Sequence, residues 1–178
     1  MGNVSLSSCK DGEKTMGSVS HDIALELEAF IVREARLADE SQYQEWEDLW
    51  ADDAVYWVPL KEGDDPAKKV SHLYDNRTRI ATRIRQLKTG YRYSQLPVSG
   101  LRRVISNYEY SEEADGRYKV EANFYLPEFS AQATNTFRIW SGRLVYILSR
   151  RDDAFQMHMK KIILVNGLQP IPTLSFLI

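Results

Sequence analysis

The stretch FIVREARLADESQYQEWEDLWADDAVYWVP, Phe30–Pro59, decides how the rest of the chain is interpreted. It opens inside an amphipathic helix, and the segment SQYQEWEDLW after Asp39 predicts a second, shorter helix with aromatic residues at helical spacing. The run Ala54–Val58 then predicts a strand that ends at Pro59. Helix, helix and strand follow one another without room for a βαβ crossover, so the stretch argues against a parallel βαβ organisation.

A first helix is predicted from about Ser20, with Ser20 or Asp22 as its N-cap. Apolar residues recur at helical spacing and form one stripe, consisting of Ile23, Leu27, Phe30, Ile31, Leu37 and Ala38. Glu34 falls inside this stripe, so its carboxylate must stay partly hydrated, find a cation or be protonated. Two interpretations remain open for it: a salt bridge to an arginine of the packed sheet, or a general base in a pocket.

A third helix is predicted from about His72 to Lys88, with a buried face made of Leu73, Ile80, Ile84 and Leu87. Gly90 suits its C-cap. Charge is segregated around these helices: residues 21–56 carry eleven acidic and two basic residues, whereas residues 66–103 carry ten basic and one acidic. This pattern fits either two faces that attract each other within one fold, or a docking surface for an acidic partner.

The second half is β by pattern, with strands predicted at residues 101–110, 118–126, 134–148 and 155–165. Pro127 and residues 131–133 suggest a wide hairpin, and Gly142 suggests a bulge or bend within its strand. In the last strand, one face is predicted to carry Phe155, Met157 and Met159, and the other to carry Gln156, His158 and Lys160. Lys161 breaks this alternation, as another bulge would.

Together these elements predict the α+β class, with a strongly bent, mixed, mostly antiparallel sheet wrapped around the N-terminal helices as a cone. Residues 1–20 are rich in Gly, Ser and Lys and are predicted to be a flexible tail. Residues 21–178 are predicted to form a single domain, since this length suffices for one core.

Composition excludes several classes of protein. The formal net charge is −2, which recruits neither nucleic acid nor a membrane surface. No apolar run approaches the ~20 residues of a membrane span, and residues 1–20 have no signal-peptide core, so a cytoplasmic protein is expected. Cys9 is the one cysteine, which excludes an internal disulfide and any cluster held by cysteines of this chain alone.

The residues that carry chemistry are sparse. His21, His72 and His158 lie in three separate predicted elements and lack the spacing of metal ligands, and no nucleotide-binding or nucleophile motif occurs. A structural histidine is the better interpretation of His158. Four aromatic residues could line a ligand pocket but are more often core: Trp46, Trp50, Tyr56 and Trp57.

The segment Arg33–Asp39 and the residues after it resemble the start of the small (β) subunit of aromatic-ring-hydroxylating dioxygenases. The matching positions there are Tyr43, Trp46, Asp53, Tyr56, Trp57 and Pro59. Further similar segments are RQLKTG at 85–90, Pro97, Ser99, RRVISN at 102–107, SGR at 141–143 and KKIILVN at 160–166. The resemblance spans about residues 23–178 and keeps the order of the family pattern.

This resemblance implies an NTF2-like, cystatin-like cone that assembles with a large subunit as an α3β3 hexamer. In such enzymes the large subunit carries the Rieske [2Fe–2S] cluster and a mononuclear Fe(II), with NAD(P)H as the ultimate electron donor. They add both atoms of O2 to an aromatic ring and yield a cis-dihydrodiol in aromatic hydrocarbon catabolism. The small subunit is then structural and supports assembly, so this chain is expected to bind no cofactor or metal and to carry no catalytic residue.

Five arginines are the candidate partner contacts: Arg77, Arg79, Arg102, Arg103 and Arg143. An alternative is a stand-alone, cofactor-free dehydratase or isomerase that uses the cavity of the cone. Its acid–base candidates would be Glu34, Asp53, Tyr56 and His158. A third hypothesis is a small-ligand binding module without turnover. Neither nucleic acid nor a membrane is expected as a partner.

Overall fold

Helices and one sheet are defined by a computed structural model that describes residues 19–89, 98–130 and 136–178. The helices are α1 (His21–Asp39), α2 (Tyr43–Glu47) and α3 (Arg77–Lys88). The strands are β1 (Trp50–Pro59), β2 (Ser71–Asn76), β3 (Gly100–Leu101), β4 (Val104–Glu112), β5 (Tyr118–Ser130), β6 (Thr136–Arg151) and β7 (Ala154–Leu164). Predictions for residues 1–18, Gly90 and residues 131–133 fall outside the described residues.

Helix α1 forms where its cap and apolar stripe predict it. The Ser20 side chain accepts a hydrogen bond from the backbone N–H of Ile23 at 3.4 Å, which confirms Ser20 as the N-cap. Leu27 and Ile31 are fully buried on the stripe, and Glu34 is buried with them. The helix therefore presents one carboxylate to the interior together with its apolar face.

The sheet has the strand order β2-β1-β7-β6-β5-β3, and β4 also pairs with β5. The β1–β7 pair is parallel, with Val55 opposite Met159, whereas the other pairs are antiparallel. Helix α3 packs through Ile80 and Ile84 into the same core as α1 and one face of the sheet. The expected mixed, mostly antiparallel sheet is confirmed. Its helix-covered face is called the inner face below, and the opposite face is called the outer face.

Two predicted helix boundaries are wrong. Helix α2 ends at Glu47, and Trp50 begins β1 because it pairs across to Met157 of β7. The third helix does not begin at His72: residues 71–76 form β2 along β1, with Leu73 opposite Val58. Leu73 is buried in either conformation, so burial could not distinguish them. Asn76 is the actual N-cap, accepting from the backbone N–H of Arg79 at 3.0 Å.

A bulge in β7 changes which residues face the core. Ile147 pairs with Met159 and Leu148 pairs with Met157, so His158 is an extra residue without a partner on β6. The bulge was predicted at Lys161 and lies three positions earlier. It reverses the alternation beyond His158, and Lys160 therefore faces inward, opposite to the prediction, and is fully buried.

Strands β5 and β6 are longer and more regular than predicted. Pro127 does not begin a hairpin but pairs with Ile139 inside a continuous ladder. Gly142 carries no bulge, since it pairs in register with Phe124 and with Leu164. A Cβ at Gly142 would lie 2.0 Å from the carbonyl oxygen of Ile163, so glycine is required for the close approach of the β7 backbone.

Candidate functional site

The interior of the cone contains a buried polar cluster centred on Glu34. One carboxylate oxygen, Oε1, accepts hydrogen bonds from Trp46 Nε1 at 2.5 Å and from Lys160 Nζ at 2.9 Å. The other, Oε2, accepts one from Tyr146 Oη at 3.1 Å. Helices α1 and α2 and strands β6 and β7 each supply one of these groups. The cation expected for Glu34 is present, but it is a lysine and not the arginine that was predicted.

Lys160 joins Glu34 to the last residues of the chain. Its Nζ atom donates to the backbone oxygen of Ile178 at 2.7 Å, and Tyr56 Oη donates to the same oxygen at 2.8 Å. The ammonium group also lies 5.9 Å from the ring centroids of Tyr56 and Tyr146.

Arg103 completes the cluster and is not a surface residue. Its Nε and its backbone N–H each donate to the Asp39 carboxylate at 2.8 Å. Its Nη2 donates to the backbone oxygen of Leu177 at 2.6 Å. The side chain is 3% exposed. Since its donors are committed inside the chain, Arg103 offers no surface to a partner in this conformation.

Burial and charge pairing act in opposite directions on the ionisable groups of the cluster. Burial alone would raise the pKa of the Glu34 carboxyl, but attraction to Lys160 and Arg103 outweighs it and holds that pKa below its usual value. Burial lowers the pKa of Lys160 to about 8, against the attraction of Glu34. Burial also raises the pKa of the Tyr56 and Tyr146 hydroxyls above their usual range. The cluster is thus an ion pair enclosed by neutral phenols.

This arrangement is poorly suited to acid–base catalysis. A general base must reach a substrate proton directly or through one water. Glu34 instead has both oxygens occupied by side chains, and the aromatic residues Trp46, Trp50 and Tyr56 pack together around it with ring centroids 5.2 to 5.8 Å apart. Trp46, Trp50 and Tyr56 are therefore core residues, whereas Trp57 lies on the outer face, where its ring contacts Tyr74 and Lys161.

The four acid–base candidates of the enzyme hypothesis are not brought together. Glu34 and Tyr56 lie in the interior cluster. Asp53 and His158 meet elsewhere, where His158 Nδ1 contacts Asp53 and its Nε2 lies 2.7 Å from Ser149 Oγ. The Asp53 side chain is 55% exposed, so this second group is at the surface. The bulge at His158 turns it away from the core that Lys160 enters.

Asp53, His158 and Ser149 form a surface group with the residue types of a hydrolase triad, but without hydrogen-bond donors for an oxyanion in the described part of the chain. Burial opposes the ionisation of Asp53, yet hydrogen bonds and attraction from His158 and Arg117 hold its pKa below the usual value. Ser149 lies in a regular ladder opposite Gln156, so the surrounding backbone N–H groups belong to the sheet. A hydrolase would need free donors aimed at a developing oxyanion. We interpret this group as a structural link between β1, β6 and β7.

The donor set also does not fit an iron site. In the described residues, no three His, Cys, Asp or Glu side chains lie together in a way that could hold a metal ion. His72 Nε2 is 2.7 Å from the backbone oxygen of Gly167, and His158 is held as described above. Over the same parts of the chain, none of the helices has the length and apolar character needed to cross a membrane.

The predicted partner contacts are spread over several elements. Arg77, at the start of α3, pairs with Glu47 at 2.9 Å, and Arg79 donates to the backbone oxygen of Tyr74 at 3.1 Å. Arg102 is 73% exposed and lies 3.5 Å from Glu40. Two carboxylates flank Arg143, Glu109 at 3.2 Å and Glu121 at 3.4 Å. Part of the segregated charge is therefore paired within the fold.

The outer face of the sheet carries an exposed apolar patch that the sequence analysis missed. Between β5 and β6, Phe129 lies opposite Phe137 and Pro127 lies opposite Ile139. Between β5 and its other neighbour β4, Tyr125 lies opposite Val104. The exposed fractions are 45% for Phe129, 62% for Phe137, 54% for Ile139, 47% for Tyr125 and 61% for Val104. We call these five residues and Pro127 the apolar outer patch. Alternation along the strands could have revealed it, because the positions facing solvent are apolar here.

Fold and site together define a class: an α+β cone whose interior is packed with its own side chains and tail. Comparison with known proteins identifies the family. The family described as ring hydroxylating beta subunit matches residues 33–169. The chain belongs to this family and is the small subunit of an aromatic-ring-hydroxylating dioxygenase. The family and the fold that the resemblance implied are confirmed.

Individual relatives agree with this assignment. The β subunit of toluate 1,2-dioxygenase from Pseudomonas putida is 29% identical over 114 residues, covering 61% of this chain and 70% of the relative. The β subunit of benzoate 1,2-dioxygenase from Burkholderia mallei superposes with a TM-score of 0.70 at 23% identity, covering 91% and 100%. A structure described as a putative scytalone dehydratase from Novosphingobium aromaticivorans has a TM-score of 0.61 at 11% identity, covering 81% and 85%. The last likeness concerns the fold alone.

Proposed function

We propose that this chain is the non-catalytic scaffold of an α3β3 oxygenase hexamer. The large subunit would carry the Rieske [2Fe–2S] cluster and the mononuclear Fe(II), and would receive electrons that originate from NAD(P)H. The complex would add both atoms of O2 to an aromatic ring to give a cis-dihydrodiol, in the cytoplasm. In this proposal residues 21–178 act as one structural domain.

The family match is the observation that carries the proposal, and the interior geometry supports it. A stand-alone enzyme needs an accessible cavity with groups directed into it. The groups best placed for that role, Glu34 and Lys160, are 0% exposed and bonded to one another. A scaffold requires only that such groups be satisfied, as they are here.

The apolar outer patch is proposed as the surface that meets the large subunit. Interface cores are depleted in charge and enriched in aromatic residues and arginine, and this patch has Phe129, Phe137 and Tyr125 at its centre. Arg102 borders the groove that Phe129 and Phe137 line, and Arg143 lies beyond Tyr125 on the same face. A stable interface buries ~800 Å² per partner, so neighbouring surface must also contribute.

The arginine contacts are part of the same proposal. Arg102 is 73% exposed and Arg143 is 37% exposed, so both are accessible at the rim of the patch, although two carboxylates already flank Arg143. Arg77 and Arg79 would add contacts from α3. Arg103 contributes indirectly: it fixes the segment next to Arg102 by binding Asp39.

The proposal is tested by purifying the chain alone and then co-expressing it with its large subunit. We expect the isolated chain to bind no stoichiometric iron and to show no Rieske absorbance. We expect the co-expressed chains to elute together in size-exclusion chromatography with all iron bound by the large subunit. Stoichiometric iron or turnover of an aromatic substrate by the isolated chain would refute the proposal.

A further inference from the structure

The C-terminal segment fills the interior of the cone. Phe176, Leu177 and Ile178 are 5%, 0% and 1% exposed, which is as buried as the sheet residues around them. Phe176 packs edge-to-face on Trp140, with ring centroids 5.7 Å apart. Three large apolar side chains at the end of the described chain thus occupy space between the sheet and α1.

Side chains, and not a backbone ladder, hold this segment in place. Residues 165–178 belong to no strand or helix. Three donors from separate elements instead reach its backbone oxygens: Arg103 reaches Leu177 at 2.6 Å, while Lys160 and Tyr56 reach Ile178 at 2.7 and 2.8 Å. Protein sites bind small molecules in the same way, with an apolar body in the pocket and a few directed polar contacts.

The cluster remains electrically satisfied without the segment. Glu34 still neutralises Lys160, and Asp39 still neutralises Arg103. Withdrawal of the segment would therefore leave an apolar cavity with three unused hydrogen-bond directions, and not a bare buried charge. Because a buried donor without a hydrogen bond is costly, an occupant that carries acceptor oxygens is favoured over an empty cavity.

We propose that this interior is a binding site whose resident occupant is the segment Phe176–Ile178. It would accept in its place an apolar molecule carrying adjacent acceptor oxygens, either a carboxylate or a peptide amide. The inference goes beyond the scaffold role, because it assigns a ligand class to a cavity that the scaffold role does not use. It depends neither on the large subunit nor on oxygenase activity.

The test uses a chain truncated after Pro172 and a synthetic peptide TLSFLI that reproduces residues 173–178. We expect the truncated chain to melt at a lower temperature than the full chain, and the peptide to restore the melting temperature with saturation. The full chain should not bind the peptide, because its site is occupied. A matched peptide with Leu177→Asp should fail, since it would bury a carboxylate in the apolar part of the site.

Two further measurements show which chemical group of the peptide the site recognises. The peptide is compared with a free and with an amidated C-terminus, which separates carboxylate from amide recognition at the Ile178 position. Tyr56→Phe removes one donor to that position and should weaken the peptide about fivefold, in line with the loss of one neutral hydrogen bond.

Truncation could prevent folding, so a full-length variant provides an independent arm. Leu177→Asp in the full chain expels the segment without deleting any residue, and this variant should bind the wild-type peptide. Circular dichroism establishes which of the two chains is folded. Absence of saturable peptide binding to a folded truncated or Leu177→Asp chain would overturn the proposal.

Discussion

The two faces of the sheet differ in where their charged and apolar side chains lie. On the inner face, Glu34 and Lys160 are fully buried and hold one another through an ion pair. On the outer face, charged residues such as Asp53 stay at the surface, while Phe137 and Ile139 are left in solvent. The inner face is completed by the chain itself. The outer face is left with apolar area of the kind that a partner covers.

The adjacent residues Lys160 and Lys161 lie on opposite faces of the sheet, so the same substitution at each one compares the two faces directly. Lys160→Met leaves Glu34 buried without its cation and should lower the free energy of unfolding by ~3–5 kcal/mol. Lys161→Met is the matched control. Lys161 lies on the outer face, 4.4 Å from the centroid of the Trp57 ring, and its loss should cost under ~1 kcal/mol. Urea unfolding of the three chains measures both values.

A double variant shows whether pairing causes the loss. Glu34→Gln with Lys160→Met removes both charges, keeps one acceptor oxygen for Trp46 Nε1, and places an amide N–H where it can donate to Tyr146 Oη. We expect it to be at least ~2 kcal/mol more stable than Lys160→Met alone, because no unpaired charge remains. Equal stability of the single and double variants would contradict the pairing.

The pH dependence of stability gives the next largest effect. The pKa of Lys160 is about 8 in the folded chain and has an ordinary value of 10.5. Between these values the unfolded chain holds a proton that the folded chain has lost, so the free energy of unfolding should rise with pH from about 8 to 10. Above pH 10 the raised pKa values of Tyr56 and Tyr146 act in the opposite direction.

Urea unfolding between pH 7.5 and 10 checks this slope. The wild-type chain should gain stability across that window, and the double variant Glu34→Gln/Lys160→Met should not. A rise of equal size in the double variant would assign the slope to another group.

The smallest effect is expected at the surface group of the outer face. Asp53→Asn removes contacts to His158 and Arg117, but the carboxylate is more than half exposed and its ion pairs are screened. The loss should stay below ~1 kcal/mol at pH 7. Because the pKa of Asp53 is lowered in the folded chain, this contribution is present above pH 3.8 and disappears as the pH falls. The difference between wild type and Asp53→Asn should therefore shrink as the pH is lowered below 3.8.

The sequence predicts the elements better than the contacts between them. The stripe of α1 and its cap at Ser20 are local signals, and they place Glu34 in the interior correctly. The partner of Glu34, Lys160, could not be found from period-2 alternation. The bulge at His158 changes which residues of β7 face the interior just before Lys160. A bulge depends on the pairing of two strands, and its position is not encoded by residue type alone.

Two other features depend on distant pairing in the same way. Residues 71–76 adopt an extended conformation because they hydrogen-bond to β1, although Leu73 also fits the helical stripe that follows. The place of the apolar segment Phe176–Ile178 inside the cone follows from hydrogen-bond donors on Tyr56, Arg103 and Lys160, which lie far from it in sequence. Neither arrangement has a short-range signal.

The central claim is that this subunit meets the large subunit through its outer face. The most direct test is the mass of the complex formed with the large subunit when Phe137 and Ile139 are both changed to Glu, with Leu25→Glu on the exposed side of α1 as the matched control. We predict that the control assembles like the wild type, whereas the double variant folds with unchanged circular dichroism and stays apart from the large subunit. Normal assembly of the folded double variant would contradict the claim.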